Sequence, residues 1–107
     1  MTFEEYSRLS KEPNDATLNL STLGIGLAGE VGEALNIIKK HLVFPVPLDV
    51  TKLADELGDV LWYLTALGEL IDVPLETIAE RNLVKLEKRY PERFRSKEEM
   101  YTYEAPS

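Results

Sequence analysis

At 107 residues the chain has room for one domain with a modest core, in the size range where oligomerisation helps to cover apolar surface. Twelve Lys+Arg against nineteen Asp+Glu leave a net charge of −7, which excludes non-specific binding to nucleic acid or to an acidic membrane, since both need a basic footprint. With no cysteine and one histidine, disulfides and thiolate metal sites are excluded, and a zinc site would have a single imidazole to use.

The N-terminus, Met1-Thr-Phe-Glu-Glu-Tyr, lacks the basic start and apolar centre of a signal peptide. Phe3, Tyr6 and Leu9 recur at helical spacing before Pro13, which predicts a short helix over 3–11. Asn14-Asp15 offers N-cap chemistry for a long amphipathic helix over 16–42, whose apolar residues Leu20, Leu23, Leu27, Val31, Ala34, Leu35, Ile38 and Leu42 recur at three and four. Pro45 and Pro47 end it. Asp49 or Thr51 caps a third helix over 50–71, amphipathic in its first half and apolar nearly all round from Val60 to Leu67. A helix apolar on every side must be buried on every side, so the outward residues Trp62, Ala66 and Leu70 predict contact with another subunit. The run from Val60 to Ile71 carries Glu69 and is too short for a bilayer, which takes about 20 residues. After the turn Asp72-Val73-Pro74 comes a fourth helix over 75–90, striped by Leu75, Ile78, Ala79, Leu83 and Leu86, and then a charged, loosely ordered tail over 96–107. No segment alternates with the period of a strand. The expectation is an all-α four-helix bundle, one domain over 1–107, soluble and cytoplasmic, without membrane or nucleic-acid partners.

Two acidic stretches read almost as copies: Glu30-Val-Gly-Glu33-Ala-Leu and Glu56-Leu-Gly-Asp59-Val-Leu. Residues three apart share a helix face, so each stretch projects a carboxylate pair, and two such helices in contact bring four carboxylates together. That charge repels itself unless a cation sits among it. Spacing alone is weak, because Glu12/Asp15 and Glu69/Asp72 have it too, near predicted turns where they stay wet. Placement separates the cases: Glu30 falls inside the apolar stripe of its helix, Glu33 borders it, and Glu56 and Asp59 flank the stripe of the third helix. An unpaired carboxylate there is costly. Gly29, Gly32 and Gly58 interleave the acids at about 1 kcal/mol each relative to alanine, which predicts close approach of a neighbouring helix or a bulky ligand. His41 is not three residues from any of the four acids, so a di-iron pattern is not met, and hard oxygen ligands suit Mg²⁺ or Mn²⁺ with a polyphosphate substrate. His41 itself reads as a helix-end residue, and Tyr63 as either a base-stacking or a packing ring.

The two motifs, separated by 22 residues, together with Leu27-Ala-Gly-Glu-Val-Gly-Glu, Lys39-Lys40, Asp55-Glu-Leu-Gly-Asp-Val-Leu-Trp-Tyr and Arg81-Asn-Leu-Val-Lys85-Leu-Glu-Lys-Arg89-Tyr-Pro, resemble the MazG-like nucleoside triphosphate pyrophosphohydrolases of the all-α NTP pyrophosphatase superfamily. The resemblance covers most of 17–95. It implies Mg²⁺-dependent hydrolysis between the α and β phosphates of an NTP or dNTP, with Glu30, Glu33, Glu56 and Asp59 as metal ligands and one glutamate also handling the proton of the attacking water. It supports Asn82 and Lys85 as substrate contacts. Lys40, on the Glu33 face, is placed to reach a phosphate, and Asn19, on the Glu30 side, to meet the nucleotide. A homodimer is the least assembly expected, or a dimer of dimers. The alternative is a non-catalytic helical module that binds a nucleotide or a partner protein through the same acidic groove.

Overall fold

The structure, a computed structural model, describes residues 1–11 and 18–93. It is all-α: α1 (Phe3–Ser10), α2 (Leu20–Val43), α3 (Val50–Leu70) and α4 (Leu75–Arg89), with no strand among the described residues. The chain divides into two compact units, Met1–Leu75 and Glu76–Ser107. In the first, α2 and α3 lie side by side and α1 packs on α3. The second carries α4, which keeps acid in its first turn at Glu76 and base in its last at Lys88 and Arg89, each opposing the local helix charge.

Local chemistry sets the ends of these helices. Thr2 and Glu5 form a reciprocal capping box on α1. The start of α2 corrects the sequence expectation: the helix begins at Leu20, not Ala16. Its N-cap is Asn19, extended at φ −130° and ψ 176°, whose side chain accepts from the Thr22 N–H at 3.0 Å while the Thr22 hydroxyl accepts from the Asn19 N–H at 3.1 Å. Two satisfied groups at this point hold the backbone out of the helix one residue earlier. Asn14, Asp15 and Glu12 lie outside the described residues. At the other end His41 Nδ1 sits 2.7 Å from the Val46 carbonyl oxygen, which can only accept, so Nδ1 carries the proton and the ring ties the helix end to the following turn. Asp49 caps α3, accepting from the Lys52 N–H at 3.0 Å. Beyond α3 the chain reverses through Asp72, at φ 60°, a left-handed conformation that aspartate tolerates better than most residues.

The core of the first unit is thin. Among the described residues, Leu23 and Ala34 of α2 and Thr65 and Gly68 of α3 are buried. Thr65 spends its hydroxyl on the Leu61 carbonyl at 2.8 Å, so burying it leaves no orphan donor. Much of the apolar stripe read from the sequence stays exposed, including Val31, Leu35 and Leu42 on α2 and Leu64 on α3, and so do Val50 and Leu57, which lie outside that stripe.

On the outward face of α3, half-buried Trp62 donates its indole N–H to the Ser10 carbonyl at 3.0 Å, a tie to the end of α1 that the sequence did not predict. Glu69 stays exposed, as expected, and its carboxylate also accepts a hydrogen bond from the Ser7 hydroxyl, a second tie between α1 and α3. No helix among the described residues is long and apolar enough to cross a membrane.

Candidate metal centre

Side-by-side packing of α2 and α3 brings the two acidic stretches together. Glu30 and Glu33 sit in the middle of α2, Glu56 in the first half of α3, and one carboxylate oxygen from each of the three lies within 4.8 Å of the others. Glu30 and Glu56 are half-buried, Glu33 is exposed. Asp59, one turn after Glu56 and also exposed, is outside this group of three but lines a cavity of about 290 Å³ with Glu30, Trp62 and Tyr63.

Two oxygens identify what the group lacks. Glu30 Oε2 and Glu56 Oε2 are fully shielded and have no hydrogen-bond partner. A shielded carboxylate oxygen with nothing to accept from is unstable unless a cation or donor meets it. The acids feel one another: close pairing with the Glu56 carboxyl, then the Glu56 charge, then some loss of hydration and the charge of Asp59 raise the Glu33 carboxyl above its ordinary 4.5, and pairing with Glu30 opposes the rise. The donor set fits a hard divalent ion. Three carboxylate oxygens converging within 4.8 Å are hard ligands of the kind such an ion takes, and Glu30, Glu33 and Glu56 would hold it.

The glycines behave differently from the sequence expectation. A Cβ on Gly29, Gly32 or Gly58 would meet nothing within 4 Å, so no part of the described chain exploits those gaps. The close approach is at Gly26, one turn before Glu30, where a Cβ would overlap the Tyr63 ring. Tyr63 in turn meets Trp62 edge-on, ring centroids 5.1 Å apart at 86°. The signal was present in the sequence, since Gly26 is four residues before Glu30 and Tyr63 four after Asp59, but pairing them across two helices needs the register of α2 on α3.

The remaining candidates are more scattered. Lys40 is exposed in the last turn of α2, about 10 Å of helix rise beyond Glu33. Asn19 is occupied as the α2 cap. Asn82 and Lys85 are exposed, three apart on α4 in the second unit.

The family profile of the MazG nucleotide pyrophosphohydrolase domain matches residues 18–94, more than half of the chain, including all four acids. The chain belongs to the MazG family. It is also 40% identical over 79 residues to the "Gene 37 protein" of Mycobacterium phage L5, an overlap covering 70% of this chain and 69% of the phage protein. No solved structure matches it significantly. All-α architecture and an acidic group able to hold a metal ion are what a MazG member needs, and this chain has both.

Proposed function

We propose that this MazG member is a Mg²⁺-dependent nucleoside triphosphate pyrophosphohydrolase, cleaving an NTP or dNTP between the α and β phosphates to give the monophosphate and pyrophosphate. The observation that carries the reading is the pair of shielded, unpartnered oxygens on Glu30 and Glu56, set within 4.8 Å of a Glu33 oxygen. Glu30, Glu33, Glu56 and Asp59 hold the ion, with Mn²⁺ a chemically similar substitute. Bound there, a divalent ion neutralises phosphate oxygens and makes a coordinated water more acidic. The chain's own part is to fix the substrate against that ion and to supply a carboxylate of the cluster as proton acceptor, so no covalent nucleophile is required.

Lys40 is proposed to meet a phosphate from the end of α2. Asn82 and Lys85 enter as substrate contacts on the family resemblance alone, and Asn19 keeps such a role only alongside its capping bonds. The family match runs from 18 to 94 across both compact units, which supports treating the chain as one working domain.

A second copy of the chain is proposed as the partner. Val31, Leu35 and Leu42 fall within about 40° of one another on α2, and Val50, Leu57 and Leu64 follow at seven-residue intervals on α3. Exposed apolar stripes of this length mark an interface, so a homodimer is the least assembly. Sedimentation of the wild type against Leu57→Glu is expected to show dimer or larger against monomer. A wild-type monomer at micromolar concentration overturns the assignment.

The catalytic reading is tested by pyrophosphate release from all NTPs and dNTPs, including modified bases, with Mg²⁺. Turnover of at least one is expected, and abolished by Glu56→Gln. Tight nucleotide binding by calorimetry with no product from any of them would instead establish a binding module.

A further inference from the structure

Two turns of α3 beyond Asp59 a second cavity, of about 280 Å³, opens between α1 and α3. Leu23, Trp62 and Ala66 give it apolar walls, and Ser7, Lys11 and Glu69 give it a polar edge. Trp62 borders both this cavity and the acidic one, so a single indole is their common wall. Leu23 lies seven residues before Glu30, on the same face of α2 and about 10 Å away in helix rise. The two cavities therefore adjoin at Trp62.

We propose that this cavity is the nucleobase pocket of the same site and that Glu69 selects bases carrying an exocyclic amino group. The assignment rests on the nucleotide reading above. A ligand whose phosphates are drawn to Glu30, Glu33 and Glu56 can extend its sugar and base past Trp62. The indole is held in plane by its bond to the Ser10 carbonyl, which leaves a flat, fixed surface of the kind on which bases stack. Glu69 is held as well: its Oε1 accepts from the Ser7 hydroxyl. A carboxylate only accepts, with about four lone-pair positions, so the Ser7 bond leaves capacity for an N–H donor. Cytosine, adenine and guanine present amino N–H groups to it. Uracil and thymine present a carbonyl oxygen at the place of the cytosine amino group, and its lone pairs face the carboxylate. A charge-assisted hydrogen bond near the surface gives about tenfold discrimination.

Trp62 is the only tryptophan in the chain, so its emission reports the pocket directly. The wild type and Glu69→Gln are titrated with dCMP and dUMP in Mg²⁺ while Trp62 fluorescence is followed, and pyrophosphate release is measured with dCTP and dUTP. Gln can still accept from Ser7, so the variant keeps the α1 fastening. Expected are Trp62 quenching by dCMP at about tenfold lower concentration than by dUMP, a matching preference in kcat/KM, and a ratio near 1 or inverted in Glu69→Gln. Ala66→Leu, which fills the cavity, is expected to weaken quenching by both nucleotides. Pyrophosphate release with Trp62 emission unmoved, or a dCTP/dUTP ratio unchanged in Glu69→Gln, overturns the pocket and leaves the reaction standing. Quenching with the expected preference but no pyrophosphate from any triphosphate upholds the pocket and overturns the reaction.

Discussion

Replacing Glu30 by glutamine should stabilise the metal-free protein and abolish its response to Mg²⁺. Oxygens of Glu30, Glu33 and Glu56 lie within 4.8 Å of one another, so removing the Glu30 charge eliminates two repulsive pairs. At that distance a pair of unit charges repels by about 3.5 kcal/mol at an effective dielectric of about 20 and by about 0.9 kcal/mol in bulk water. Glu33 is exposed and water screens its charge, so the value near the water limit applies to much of the sum, and a net gain of about 1–2 kcal/mol is expected. The glutamine amide can also donate to the Glu33 or Glu56 carboxylate. For a domain of this size the gain corresponds to a rise in Tm of roughly 5–10 °C. In the wild type, Mg²⁺ that binds only the folded state adds stability as the logarithm of its concentration over Kd, and the variant should lose that increment. The assay is thermal melting by circular dichroism in EDTA and at several Mg²⁺ concentrations, at fixed protein concentration because an oligomer's melting depends on it. A Glu30→Gln protein that melts lower than wild type in EDTA, or retains the Mg²⁺ shift, would refute the argument that this carboxylate is an uncompensated ligand.

The raised Glu33 pKa gives a signed pH dependence: below its ordinary 4.5 the carboxyl is protonated in both the folded and unfolded chain, and stability is lost as pH rises through the higher folded value, where the group must ionise beside Glu56. Wild-type metal-free protein should therefore lose stability relative to Glu33→Gln as pH rises from below 4.5 toward neutrality, read as a widening difference in Tm, and a constant difference would contradict it. Gly26→Ala puts a methyl into the Tyr63 ring, forcing the ring to swing away from α2 and from Trp62. The expected signature is a change in Trp62 emission and a several-fold rise in KM, both absent when the same change is made in a Tyr63→Leu background. A Gly26→Ala effect that persists without the tyrosine ring would show that the glycine acts through the backbone instead.

The sequence by itself determined the four helices to within a residue or two at most ends, because proline pairs, caps and apolar periodicity act locally. It also singled out Glu30, Glu33, Glu56 and Asp59, since helical angle alone places an acid inside or beside an apolar stripe, and the structure groups the first three. The start of α2 was misread because Asn14-Asp15 and Asn19 are all chemically able to cap, and only the backbone shows that Asn19 does. Long-range relations needed the tertiary structure. That Trp62 bonds the end of α1 depends on where a short N-terminal helix docks, and helical periodicity carries no information about that. The same holds for Gly26 under Tyr63 and for Ser7 on Glu69: each joins residues far apart in sequence, so the register of one helix on another, set by side-chain packing, decides which glycine is needed and which acid is held.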